Sequence, residues 1–394
     1  MLAAMGEVAI VAREYWRACR RAVVIATAAL TLLPFVGTAR ADDRAVCMDW
    51  GGVPEVTIAA CSRLMAIEGL APSFRSMLHL RRGYAFFQKA DYEQVIRDYS
   101  FALVLEPRHQ LALSLRGEAH LMIGEHAKAL ADFDALIALN PAYHWVWYNR
   151  GRANEGLGNS DEAMCDYRNA LIRVPEDDDA IVGMGVVLFG KGEMEAALAH
   201  FTRALELDPA NADAAYDRAV TNERLKNRAA ALSDYSLALA IDPGRGDAAY
   251  WRGMLHAGFG DNRKALEDIA YAIVHDRENE ADYRDASCWL RAERNLGLET
   301  ALAECERAIA LAPGNGSFKA NRIFVYMKLG RFEAARNEAD ALMRDKLESA
   351  DVLYMRGLAR VRLGDVEGGD NDIARALTRD PDVAYRFQSW GLGR

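Results

Sequence analysis

The sequence predicts an all-α solenoid of antiparallel helix pairs, and three observations carry that prediction. Residues 76–383 repeat with a 34-residue period. Small residues hold the same register through nine copies. Ala and Leu dominate a chain of 394 residues that is 51% hydrophobic and 27% charged, with little strand-type alternation.

Residues 1–41 stand apart from that pattern. Arg17, Arg20 and Arg21 precede an apolar run from Ala22 to Gly37, and Ala39-Arg40-Ala41 then offers small residues at both positions a signal peptidase reads. This order describes a secretory signal peptide with the mature chain starting at Asp42. The apolar run is short for a bilayer span and is broken by Pro34. Residues 1–41 hold five Arg and two Glu, a net of +3, so their removal takes the formal charge from −9 to −12. The expectation is a periplasmic protein with no membrane insertion after signal removal. A chain so acidic does not select nucleic acid or anionic lipid.

Residues 42–75 form an N-terminal segment. Within it, residues 54–69, around Ile58-Ala59-Ala60-Cys61-Ser62-Arg63-Leu64, read as the second half of a further repeat covering the open end of the array. Six units of 34 residues then fill 76–279. Glu280 and Ala281 are inserted, and three more units fill 282–383. Position eight of the unit reads Gly83, Gly117, Gly151, Gly185, Ala219, Gly253, Trp289, Ile323 and Gly357. Position twenty is Ala in seven units, with Val95 and Gly369 as the exceptions. Position thirty-two is Pro in seven of nine units, which stops the second helix because Pro has no N–H and disfavours helix at the residue before it. Two helices approach closely only where side chains are small, and Tyr99, Phe133, Tyr167, Phe201 and Tyr235 at position twenty-four fill the space that remains. Gly124, Gly158, Gly192, Gly260, Gly330 and Gly364 supply the turn between helices. Residues 384–394, with Phe387 and Trp390, read as a C-terminal cap. Trp289 and Ile323 break the small-residue rule in consecutive units, and Arg277 replaces the usual Pro; a change of stacking near residue 280 is one reading and drift in a degenerate repeat is the other.

These residues resemble the tetratricopeptide-repeat family over about 310 of the 394 residues. The resemblance implies a superhelical solenoid of antiparallel helix pairs, with the first helices lining a concave groove. It says little about function, which resides in the site rather than the fold.

Of six cysteines, Cys19 leaves with the signal. Cys288 at position seven and Cys305 at position twenty-four face each other across one hairpin, where a disulfide is geometrically allowed. The segment Cys288-Trp289-Leu290-Arg291-Ala292 with Ala303-Glu304-Cys305 resembles a variant unit of exported bacterial members of the family. Cys47 and Cys61 are expected to pin the N-terminal segment to its first helix. Cys165 is expected to be a buried free thiol, and the alternative is that all five are free.

Position seven is Arg in seven units, and position twenty-three is acidic in eight. Unit four has lost both partners together, with Met184 and His200 in their places. That joint loss predicts pairing within one unit, Arg82 with Asp98, Arg116 with Asp132 and so on, as structural salt bridges rather than an anion-binding stripe.

No Gly-rich phosphate loop, nucleophile elbow, zinc-binding H-E-x-x-H or carboxylate-rich calcium loop appears. The expectation is therefore no enzyme, no cofactor and no metal. The expected groove positions of the first helix are two, five, six and nine. They carry Trp145, Tyr148, Asn149 and Arg152 in unit three, then Tyr216, Tyr250, Trp251 and Tyr354. Aromatics beside arginine suit an extended peptide or helix, although position-five tyrosines would equally well pack between units. Family members that clamp the C-terminal carboxylate of heat-shock chaperones carry Lys at position five, and none occurs there in this chain. The functional expectation is a protein-binding scaffold or adaptor of the cell envelope. The alternative is a binder of envelope glycan or a small ligand through the same aromatics.

Overall fold

The computed structural model describes residues 38–394, and every regular element among them is an α-helix. The apolar run over residues 22–37 and the preceding Arg17, Arg20 and Arg21 lie outside the described residues. The chain divides into two compact units, one ending at Pro209 and one running from Ala210 to Arg394.

The first unit opens with α1 (Thr38–Met48) and α2 (Pro54–Met65). Cys47 and Cys61 are bonded across this pair, and Ala60, Leu64 and Leu78 close over them as a small buried cluster. Leu78 belongs to α3 (Pro72–Gln88), so the pair covers the face that the first repeat would otherwise leave bare. Four complete helix pairs follow. They are α3 with α4 (Tyr92–Leu105), α5 (Gln110–Met122) with α6 (His126–Leu139), α7 (His144–Gly156) with α8 (Ser160–Arg173), and α9 (Asp178–Gly190) with α10 (Met194–Leu207). The second unit contains α11 (Ala212–Arg224) with α12 (Arg228–Ile241), α13 (Gly246–Gly258) with α14 (Asn262–His275) and α15 (Glu280–Glu293) with α16 (Leu298–Leu311). It continues with α17 (Gly316–Lys328) with α18 (Phe332–Arg344), α19 (Ala350–Arg362) with α20 (Val366–Arg379), and a final short α21 (Val383–Ser389). The extra residues Glu280 and Ala281 lengthen the start of α15 rather than a loop.

Helix boundaries follow local chemistry. Asp91, Asp177, Asn211, Asp261, Ser349 and Asp365 accept a hydrogen bond from a backbone N–H of the first turn of their helices. The turn within each pair needs one left-handed residue. Six glycines supply it at φ between 71° and 93°, and Ala90, Lys226 and Asn295 take the same conformation at φ 55°, 63° and 54° in the other three pairs.

The interior obeys the size rule read from the sequence. A Cβ built on Gly117, Gly151 or Gly185 would stand 2.8, 2.7 or 2.6 Å from the ring of Phe133, Tyr167 or Phe201 in the same unit. These rings are fully buried. In the units where Trp289 and Ile323 stand at position eight, position twenty-four shrinks to Cys305 and Ala339. Volume is thus exchanged within the pair, and the Trp289 ring is released to pack on Phe324 and Trp390.

Candidate partner-binding site

The register of each hairpin, and so the aim of its first-helix side chains, is fixed by the arginine–carboxylate ladder. Arg82–Asp98, Arg116–Asp132, Arg150–Asp166, Arg218–Asp234, Arg252–Asp268, Arg322–Glu338 and Arg356–Asp372 all pair within one unit, at 2.5–2.8 Å for the shortest contact. In six of them Nε and Nη2 donate to the two carboxylate oxygens in a two-pronged geometry, and Arg322 does the same to Glu338. Sequence reasoning missed a third bond. The Nη1 of Arg116, Arg150, Arg252 and Arg356 donates to Ser100, Asp134, Ser236 and Asp340, sixteen residues earlier in the preceding pair. The recurrent Ser or Asp at position twenty-five was the available signal. In the unit where Cys288 replaces the arginine, Arg284 takes over Glu304 at 2.7 Å. A cleft of about 370 Å³ beside the Arg252–Asp268 pair is lined by Arg263 and Lys264, which are themselves paired with Glu267 and Asp261.

In the first unit, Trp145 stacks on Tyr143 with centroids 5.7 Å apart. Tyr148 is only 8% exposed and packs on Tyr167, 5.9 Å away, inside a buried cluster with Ala180 and Val187. The alternative raised for position five, packing between pairs, describes this tyrosine. Arg152 lies over the Tyr148 ring at 5.8 Å. Asn149 is buried, and its Oδ1 has no hydrogen-bond partner. The neighbouring Glu118 was not anticipated. It accepts a hydrogen bond from the Ser114 hydroxyl at 3.3 Å, and burial pushes its carboxyl up to about 7 against the opposing pull of Ser114 and Arg152.

In the second unit, Tyr216 packs against Tyr235 at 5.7 Å, and the Arg245 guanidinium covers it at 4.5 Å. Arg245 pairs with Asp213 and Asp247. Tyr250 stands between Trp251 and Tyr283, at 5.0 and 4.9 Å. The Tyr283 hydroxyl donates to Asp276 at 2.6 Å. Trp251 is 38% exposed, the most open of the aromatics expected at the groove in this unit. On the same side, Asp285 accepts two bonds from the Asn321 amide at 2.9 and 3.0 Å, and burial, with Asp282 nearby, pushes its carboxyl up to about 6. Tyr354 is covered. Phe387 of α21 lies 5.2 Å from its ring, and Trp390 reaches Phe324 and Trp289 at 5.6 and 5.0 Å. The cap therefore lies across first-helix residues of the last three pairs, not on the end of the stack alone. Lys328 Nζ donates to the Trp390 carbonyl at 2.6 Å and holds it there.

The cysteines pair as Cys47–Cys61 and Cys288–Cys305, at S–S distances of 2.03 and 1.97 Å. Cys165 is free but exposed, which corrects the expectation of a buried thiol. Its neighbours Ala163, Met164, Asp166 and Tyr167 turn inward, and position twenty-two of the unit is left on the solvent side of α8. Among the described residues no group of three or more His, Cys, Asp or Glu could hold a metal ion, and no helix is long and apolar enough to cross a membrane.

A model of the tetratricopeptide repeat matches residues 80–144, 127–181, 182–246 and 325–385. Among solved structures, human IFIT1 with PPP-AAAA aligns over 81% of this chain and 76% of its own at 14% identity and a TM-score of 0.52. A tetratricopeptide repeat protein from Parabacteroides merdae aligns over 63% and 98% at 18% identity and 0.46, and MamA from Desulfovibrio magneticus over 45% and 99% at 23% identity and 0.40. At these identities the likeness concerns the fold alone. A search of curated proteins gave no match.

Proposed function

The chain belongs to the tetratricopeptide-repeat family, and from that premise we propose that it is a non-enzymatic scaffold of the cell envelope that holds a segment of a protein partner against its first helices. The observation that carries this reading is the open aromatic face around Trp251, set on helices whose register the ladder makes rigid. A large, stiff, half-exposed ring beside polar groups is the side-chain type that dominates protein contacts. Two cysteine pairs at bonding distance suit an oxidising compartment, and the leader-like order of residues 1–41 supports export. The acidic balance argues against a nucleic-acid ligand.

The test is a photo-cross-linking amino acid placed at position 251 and, as control, at Val274, an exposed residue of the second helix α14. In the native envelope, defined protein adducts should form from position 251 and not from 274. Equal labelling from both sites would refute the proposal. So would an absence of adducts combined with saturable quenching of Trp251 by glycan fragments, which would favour the glycan alternative. Purified native protein should begin at Asp42, and an intact leader would remove the export part of the reading.

A further inference from the structure

The second unit builds the same first-helix surface twice, once with a cation and once without. At the first occurrence, Tyr216 lies beneath Arg245, the residue that caps α13, and two carboxylates, Asp213 and Asp247, hold the guanidinium. One repeat later Tyr250 occupies the position of Tyr216, but the residue capping α15 is Asn279, whose amide donates to Asp276 at 2.8 Å. The aromatic side of the surface is kept and enlarged, with Tyr250 in contact with both Trp251 and Tyr283. Tyr283 stands where Asp247 stood, and acids at other positions take its place: Asp282 and Asp285 lie close enough to Tyr250 to add to the effect of burial in raising its hydroxyl pKa.

What this second surface lacks is the cation. Among the described residues no Lys, Arg or His stands within ion-pairing distance of Asp282 or Asp285, and none lies over the rings of Tyr250, Trp251 or Tyr283. The nearest arginine in sequence, Arg284, is committed to Glu280 and Glu304. Asp285 is served by one neutral amide, that of Asn321, which leaves its negative charge uncompensated in a partly desolvated place. Carboxylates with an adjoining aromatic face form a site for a planar guanidinium, which bonds to the acid at its edge and stacks on the ring with its plane.

We propose that the face made by Tyr250, Trp251, Asp282 and Asp285 binds an arginine side chain of a partner polypeptide, in the role that Arg245 fills within the chain one repeat earlier. This rests on the scaffold reading and gives its partner a chemistry: the bound segment carries arginine at the point that meets α13 and α15.

The probe is the pentapeptide acetyl-Ala-Ala-Arg-Ala-Ala-amide, and its control carries citrulline, which has nearly the same shape and no charge. Both are titrated into the purified protein while the indole N–H resonance of Trp251 is followed, assigned with Trp251→Phe. The arginine peptide should move that resonance saturably, and the citrulline peptide should bind at least tenfold more weakly. Asp285→Asn should weaken the arginine peptide at least tenfold with the helical signal retained, and Asp282→Asn, at an exposed position, should weaken it by a smaller factor. Equal binding of the two peptides would overturn the proposal, as would full affinity in the Asp285→Asn variant. The two readings fail separately. Protein adducts at position 251 without arginine selectivity would leave the scaffold standing and remove the cation site. Arginine selectivity without any protein adduct would do the reverse.

Discussion

Removal of Arg150 should cost more than removal of the carboxylate it binds. The Asp166 side chain is 2% exposed and accepts from Arg150 Nε at 3.0 Å, Arg150 Nη2 at 2.5 Å and Asn154 Nδ2 at 2.9 Å. Arg150→Ala strands that charge with the Asn154 amide alone, and breaking a buried pair from one side costs about 3–5 kcal/mol. Asp166→Ala leaves a different remainder. The Arg150 side chain is 23% exposed, keeps Asp134 at 2.8 Å and lies over Trp147 at 4.8 Å. Its loss should therefore be about 1–2 kcal/mol. The double variant should resemble Asp166→Ala, since no unpaired buried charge survives, so the cycle should show a coupling as large as the Arg150→Ala loss itself, about 3–5 kcal/mol. Urea unfolding followed by helical ellipticity, with amide exchange on α7 and α8 to localise the effect, measures all three. Additive losses, or a larger loss from Asp166→Ala than from Arg150→Ala, would refute the reasoning.

Two further outcomes follow from the same geometry. Glu118 has a folded-state pKa of about 7 against an ordinary 4.5, so the fold binds the extra proton and loses stability as pH rises through that window. Glu118→Gln should be near neutral at pH 4.5 and stabilising by up to about 3 kcal/mol at pH 8, and a difference that does not depend on pH would count against burial as the cause. Alkylation of the native, unreduced protein should label Cys165 alone, with Cys47–Cys61 and Cys288–Cys305 recovered as linked peptides. Protection of Cys165 in the native state would contradict its place on the outer side of α8.

Much of the framework was legible because a repeat is its own alignment. The joint loss of both ladder partners at Met184 and His200 identified the pairing without coordinates. The Gly against aromatic columns at positions eight and twenty-four gave the hairpin packing. What stayed hidden depends on contacts that no column records. Asn149 and Trp251 share repeat position six and were both read as groove residues, yet the first is buried and the second is open. Tyr354 was credited with a partner role, but a segment outside the repeat covers it, and periodicity cannot report on a segment without a copy. The burial of Glu118 and Asp285 was unreadable for a similar reason, since the groups around them include residues of the next pair, Arg152 of α7 for Glu118 and Asn321 of α17 for Asp285.

The short final helix and the turn after it supply the last contribution to the core of the second unit, at Val383, Phe387 and Trp390. Trp390 and Phe387 close over Trp289, Phe324 and Tyr354, rings whose positions in the sequence begin a hundred residues earlier. In a chain that grows from its amino end, these rings have no cover until residues 383–392 have been added. A chain cut after Arg379 would keep all nine helix pairs and still present a bare aromatic floor, the type of surface that chaperones and proteases recognise. Residues 383–392 thus act as a seal over that floor, and a bulky group attached at Phe387 or Trp390 would break it.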